Sequence, residues 1–347
     1  MITIPTPNTA LTHSKDLPDR PTLPEALSRG LDSPATPETL RLVDHITEVF
    51  GSSTAAIIHY GSHAQQSGAR PESAHDFFVI VESYAPAYRS FRARTGPGFR
   101  ASTAIILARI LPPNVVRISL PDQPLQGKCA VLSLAHLDRL TSPHSLDHFT
   151  KGRLFQQVQL VWTRDAESRS AVLAALVRVR AGTFAWGRSY LPPKFDVECY
   201  FRVLLETSFA AEIRPEANDR VPQLLAAQRD TMLRVYTELL QHLAASRIVV
   251  QAGKVYSQID PPSAISRLRI RLYFKRSKAR ATLRWSKHVA LYDNWLEYIV
   301  QKIARRAGQT IVLTPLERRW PLLFLWPRAV RFLVSRPQRQ GRQHDAL

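Results

Sequence analysis

The chain has 347 residues, 45% of them hydrophobic, and carries 47 Lys and Arg against 28 Asp and Glu, a formal net charge of +19. This apolar content supports a large core, expected as two domains, and excludes a disordered chain. Two cysteines, Cys129 and Cys199, exclude a disulfide-stapled module and a C-x-x-C metal pair, and no run reaches the roughly 18 apolar residues that cross a bilayer, so a folded, basic, intracellular-type protein is expected.

Residues 1–38 are rich in Pro, Ser and Thr and show no sustained period, which predicts a disordered arm. The arm lacks the apolar stretch of a signal peptide, and Asp16, Asp19, Glu25 and Asp32 argue against an organellar transit peptide, so a cytoplasmic N-terminus is expected. Residues 39–165 read as an α/β domain. It opens with an amphipathic helix, Leu40, Leu42, Val43, Ile46, Val49 and Phe50 falling near helical spacing. The run Ala55–Tyr60 reads as a strand stopped by Gly61-Ser62. A polar loop with Gly68 and Pro71 then leads to a second strand, Asp76–Glu82. Further apolar runs at Val115–Leu120, Cys129–Leu134 and Phe155–Trp162 are interspersed with helical patterns at Ser102–Ile110 and Leu134–Leu140, the order of a mixed-sheet domain. Residues 166–313 turn helical, with periodic stripes at Ser168–Val179, Val197–Glu212, Leu224–Leu243 and Tyr292–Ile303 predicting a second, mainly helical domain. No solenoid repeat is present.

The charge is concentrated at the C-terminal end. From Arg267 to Leu347 there are 19 Lys and Arg against 4 Asp and Glu, so 15 of the 19 net positive charges lie in the last quarter. Such a block suits a polyanion, either nucleic acid or an anionic membrane leaflet, or else is a solvated basic face. Residues 314–347 read as a basic amphipathic segment. Thr314-Pro315-Leu316-Glu317 has capping-box spacing with Pro at the first helical position. Trp320, Leu323, Phe324 and Trp326 with Arg328 and Arg331 then suit a segment lying among lipid headgroups, too short to span; a terminal helix docked on its own domain is the alternative.

The chemistry-bearing constellation is a strand, Gly61-Ser62, a polar loop, then Asp76 opening the next strand. A Gly-Ser turn lets backbone N–H groups and a hydroxyl approach a triphosphate without a side chain in the way. A carboxylate on the neighbouring strand can hold Mg²⁺ bridging the phosphates. The stricter nucleotidyltransferase pattern has a second carboxylate two residues on, where this chain has Phe78. Either Glu82 or Asp122 supplies it, or the metal is held by fewer protein ligands and more phosphate and water. The eleven histidines show no metal spacing and read as surface or packing residues.

Together these residues resemble the translocator assembly and maintenance family, whose mitochondrial members are peripheral-membrane phosphatidate cytidylyltransferases. Tyr60-Gly61-Ser62 is similar to the family's Y-G-S turn and Asp76-Phe77 to its D-F strand start. Gly127-Lys128-Cys129-Ala130-Val131-Leu132-Ser133 resembles its I-K-Y-G-V-I-S strand, and Lys151-Gly152-Arg153-Leu154 its A-G-R-L. Leu313-Thr314-Pro315 through Trp326-Pro327 resembles the C-terminal end of bacterial members. The departures are His63 where the family has Gly, Tyr88-Arg89 in place of Trp-His, and Phe155-Gln156-Gln157 where a Lys follows G-R-L.

The resemblance implies a nucleotidyltransferase fold that makes CDP-diacylglycerol and pyrophosphate from CTP and phosphatidic acid in phospholipid biosynthesis. It implies Tyr60, Gly61 and Ser62 at the nucleotide, Asp76 on Mg²⁺, Lys128 neutralising phosphate charge, and Lys151 and Arg153 at the lipid phosphate. It further implies peripheral attachment to the cytoplasmic face of a bacterial inner membrane, with no nucleic-acid partner. A nucleotidyltransferase for RNA or a small molecule, and a non-catalytic polyanion-binding factor, are the alternatives.

Overall fold

A computed structural model describes residues 21–69, 73–210, 217–291 and 314 of the chain. The first helix, α1 (Leu23–Ser28), is set by a capping box: Thr22 Oγ1 accepts from the Glu25 N–H and the Glu25 carboxylate accepts from the Thr22 N–H. Ala26, Leu27 and Leu31 are buried. The expected disorder over residues 1–38 therefore fails for the described part of the arm, because three apolar side chains find a core there; residues 1–20 lie outside the described residues. α2 (Pro37–Phe50) follows, capped by Thr36 and ended by Gly51 at φ +67°.

The next elements form an α/β unit: β1 (Thr54–Tyr60), β2 (His75–Val81), α3 (Tyr84–Thr95), α4 (Ala101–Ile110), β3 (Asn114–Ser119), β4 (Gln126–Ser133), α5 (Leu134–Thr141), α6 (Lys151–Leu154) and β5 (Gln159–Thr163). The five strands make one mixed sheet in the order β3-β4-β2-β1-β5, with β2 and β4 parallel and the other pairs antiparallel. β1 is buried along its whole length, as expected of a strand with helices over both faces. β3, at the edge, alternates: Val116 and Ile118 are buried while Arg117 and Ser119 are exposed. The apolar run Phe155–Trp162 is not one strand. Phe155 closes α6, and pairing with β1 begins at Gln159, because an apolar run reads alike as buried helix end and buried strand.

The remaining elements are α7 (Ala166–Ala181), α8 (Thr183–Gly187), β6 (Lys194–Phe195), α9 (Val197–Ala210), α10 (Ala217–Ala245), β7 (Val249–Ala252), β8 (Val255–Gln258) and α11 (Ala264–Leu291). β6, β8 and β7 form a small second sheet that the helical patterns did not foretell. One core cluster lies on the face of the main sheet carrying Ile58, Phe78 and Leu132, and continues through Leu176, Phe201, Leu205 and Tyr236. A second lies on the opposite face, built from Ile57, Phe77 and Val79 with Ile46, Tyr88 and Phe91. Residues on both sides of position 165 thus share one core.

Fully buried Arg180 of α7 ties these parts together, donating to the carbonyls of Leu27, Arg29 and Gln156. Burial lowers its guanidinium to about 10. The expected helix at Tyr292–Ile303 and the proposed docking residues Trp320, Leu323, Phe324, Trp326, Arg328 and Arg331 lie outside the described residues. Among the described residues no helix is long and apolar enough to cross a membrane.

Candidate functional site

Register builds the site. Tyr60 on β1 pairs with Asp76 on β2, Asp76 with Lys128 on β4, and Lys128 with Arg117 on β3. Directly paired residues project to one side of a sheet, with strands about 4.8 Å apart. Tyr60, Asp76, Lys128 and Arg117 therefore form a row across four strands, at the margin of the face whose next row inward is Ile58, Phe78, Ala130 and Val115. Sequence reasoning missed Arg117; its one signal was the exposed position in the alternating strand β3.

Within the row, Lys128 Nζ lies 3.7 Å from Asp76 Oδ1, with the lysine side chain 44% and the aspartate 28% exposed. An ion pair this open contributes about 1 kcal/mol or less, so it yields readily to a ligand. Tyr60 is buried, its ring 4.6 Å from that of Phe78. Gly61 has φ +80°, and a Cβ there would meet Asp76 Oδ2 at 2.8 Å, so the turn backbone presses directly against the carboxylate. Among the described residues no helix follows the turn: the Gln65 N–H donates to the Gly61 carbonyl and the Ser67 N–H to that of Ser62, forming a compact series of turns.

His63, the residue after the Gly-Ser turn, folds away from this contact. Its Nε2 bonds the Ser73 carbonyl at 2.9 Å and Ser73 Oγ at 2.8 Å, and its ring stacks on His75 at 3.8 Å. His75 Nδ1 lies 3.3 Å from His59 Nε2, and His59 Nδ1 lies 2.8 Å from Gln159 Oε1. Burial lowers both His59 and His75 to about 4, helped by the neighbouring imidazoles. These histidines project on the other side of the sheet from Asp76, since His75 and Asp76 are adjacent in one strand.

The turn is also anchored from below by glutamines. Gln65 Nε2 donates to Gln156 Oε1 and to the Gln157 carbonyl, each at 3.3 Å; Gln228 Nε2 of α10 donates to the same Gln156 Oε1; and the Gln157 N–H donates to Gln228 Oε1 at 2.8 Å. The residues after G-R-L thus link the Gly-Ser turn to α10. No local signal marks such a network, because each amide is satisfied by residues far away in sequence.

Phe78 is fully buried and cannot supply a carboxylate-like contact; its ring meets Phe149 edge-on at 6.5 Å. The Arg153 guanidinium lies over the Phe149 ring at 3.7 Å and donates to the Phe149 carbonyl, with Arg284 4.8 Å from the same ring. Arg153 is therefore connected to the Asp76 row through two aromatic rings. Lys151 is not an exposed cation: it is buried, 6.0 Å from the Tyr273 ring of α11, and burial lowers its ammonium to about 8. Glu82 is removed as a second metal ligand. It lies six residues beyond Asp76, about 20 Å along an extended strand, and pairs with Arg164 at 2.6 Å. Asp122 sits in the exposed turn between β3 and β4.

Among the described residues no three His, Cys, Asp or Glu gather to hold a metal ion. Magnesium is commonly held by one or two carboxylates completed by substrate phosphates, and the part-exposed Asp76 against a glycine turn fits that one-carboxylate case. Cys129 is fully buried and its thiol is pushed up by burial and by Asp76, which leaves it inert. The sequence matches no protein-family model and no curated protein.

Proposed function

We propose that the chain is a nucleotidyltransferase that transfers the cytidylyl group of CTP to phosphatidic acid, working peripherally at the cytoplasmic face of a bacterial inner membrane. One observation carries the reading: a left-handed glycine turn pressed on Asp76, with Lys128 next to it and Arg117 beyond Lys128 in the same row. The order of the Y-G-S, D-F, G-K and G-R-L segments along the chain supports the choice of substrate.

In this reading a phosphate oxygen of the lipid forms a bond to the α-phosphorus of CTP while the bond to the bridging oxygen breaks, giving CDP-diacylglycerol and pyrophosphate. The acceptor is already anionic, so no strong general base is required. Gly61 and Ser62 take the β- and γ-phosphates through backbone N–H groups and the hydroxyl. Lys128 and Arg117 balance the charge that passes to the leaving pyrophosphate. Arg153 would take the headgroup phosphate, where its planar fork suits two oxygens. Asp76 would hold Mg²⁺, which when bound neutralises phosphate charge.

The testing experiment is pyrophosphate release from purified protein with CTP, Mg²⁺ and phosphatidic acid in mixed micelles, with ATP, GTP and UTP as controls and lipid omitted. Release requiring both CTP and lipid is expected. Release without lipid would move the acceptor to RNA or a small molecule. No release from folded protein would favour a non-catalytic polyanion-binding role, the reading that buried Phe78 in place of a second carboxylate supports.

A further inference from the structure

Helix α11 presents two faces of opposite character. One is docked. Ile270, Tyr273 and Phe274 pack against the larger core, and Ser277 Oγ accepts the His148 N–H at 2.9 Å. Arg280 Nε lies 3.1 Å from Asp147 Oδ2, Arg284 pairs with the same carboxylate, and Lys287 Nζ donates to the Pro113 carbonyl and Asn114 Oδ1. A helix held by buried charges along this side cannot roll without unpairing them, so its other side is kept outward.

That outward side carries Ile265, Leu268, Leu272 and Leu283, exposed by 65%, 56%, 55% and 59%. Their spacing of three, four and eleven residues places them in one stripe about 27 Å long at 1.5 Å per residue. Arg267, Arg269, Arg271, Lys275, Arg276 and Lys278 are exposed around it, and residues 264–291 contain no Asp or Glu. We propose that this face of α11 is the docking surface for an anionic lipid bilayer, with the helix lying in the interface plane, the four aliphatic side chains entering the headgroup boundary and the cations reaching lipid phosphates on either side.

Charge and apolarity together choose this occupant. A nucleic acid would use the cations and leave the aliphatic stripe in water. A second copy meeting this face symmetrically would set six cations against six with no acid between them. A lipid surface satisfies both sets at once, as amphipathic interfacial helices do. The stripe lies outside the Trp320–Arg331 segment, so the two surfaces can be tested apart.

The inference rests on the membrane-acting reading above for its place in the protein's work, yet the two fail separately. The experiment is co-sedimentation of the full chain with phosphatidylcholine vesicles with and without phosphatidylglycerol, across a salt series. Binding that requires phosphatidylglycerol and weakens with salt is expected, together with a loss of about tenfold or more in Leu268→Asp/Leu272→Asp and in Arg269→Glu/Arg271→Glu. These side chains are exposed, so unchanged circular dichroism would show that the variants fold. Wild-type protein that ignores phosphatidylglycerol, or an aspartate variant that binds as wild type does, would overturn the proposal. Wild-type dimers that dissociate in the aspartate variant, seen by light scattering, would overturn it in favour of a second copy. Asp76→Asn is expected to bind vesicles fully. Vesicle binding by a protein that releases no pyrophosphate would support the surface and sink the enzyme, whereas turnover on micelles without vesicle binding would do the reverse.

Discussion

Gly61 and Asp76 are in such close contact that the Cβ absent from Gly61 would fall 2.8 Å from Asp76 Oδ2. Gly61→Ala is therefore expected to act twice. The left-handed backbone costs an alanine about 1–2 kcal/mol, and the added methyl must displace the carboxylate that would hold Mg²⁺. Urea denaturation should show the first effect. Nucleotide-dependent turnover should fall far more than a loss of that size explains.

Asp76→Asn keeps the shape of the row while removing its one carboxylate. The side chain is partly exposed and its ion pair with Lys128 is open, so stability should change by less than about 1 kcal/mol. Pyrophosphate release should drop by about 10²-fold or more, and Ser62→Ala should weaken CTP binding. Unchanged turnover in both variants would place the site elsewhere.

Phe78 occupies the position of a second carboxylate, but it is core. Phe78→Ala is expected to cost about 3–5 kcal/mol by leaving a cavity beside Tyr60 and Phe149. Phe78→Asp should not restore a two-carboxylate site, because position 78 is fully buried and an ionised group there is cut off from solvent. Soluble, folded Phe78→Asp with stronger Mg²⁺ dependence would refute this.

The histidine stack gives a pH dependence with a definite sign. His59 and His75 are held at about 4 in the folded chain, against about 6.5 when unfolded, by burial first, with neighbouring imidazoles adding to it and with the Gln159 bond at His59 and Glu38 at His75 pulling the other way. Between these values the unfolded chain binds protons that the folded chain refuses. Their contribution is fully present above about pH 6.5 and is lost as pH falls toward 4. The urea midpoint should decline over that window, and the decline should shrink in a His59→Gln/His75→Gln chain.

Asp147 is buried between Arg280 and Arg284, and Arg284 also stacks near Phe149. Asp147→Asn leaves buried guanidinium charge without its carboxylate and is expected to cost about 3–5 kcal/mol. Asp147→Leu combined with Arg284→Met should recover most of that loss. A fully additive double variant, measured by urea denaturation, would mean the pair does not couple.

Several elements were legible because their causes are local. The helix over 37–50 follows from a capping threonine, a first-turn proline and a stopping glycine, and the strands at 54–60 and 75–81 from apolar runs bounded by turn residues. The segment 264–291 was not foreseen as a helix. Its docked face includes Ser277, Arg284 and Lys287, which a hydrophobic period does not count as core. The run Phe155–Trp162 misled for the opposite reason: uniform apolarity does not distinguish helix end from strand.

The sequence by itself determined the α/β class, the glycine turn and the carboxylate that follows it, since each depends on backbone preference or side-chain period within a few residues. Tertiary structure decided which residues meet. Tyr60, Asp76, Lys128 and Arg117 share a row only because β2 pairs in parallel with a strand about fifty residues away and β3 folds back on that strand. Arg180, Arg284 and the glutamines that anchor the turn are buried only because distant carbonyls and amides meet their donors. Polar groups carry no inward-facing signature of their own; the partners that offset their desolvation exist only once the chain has folded.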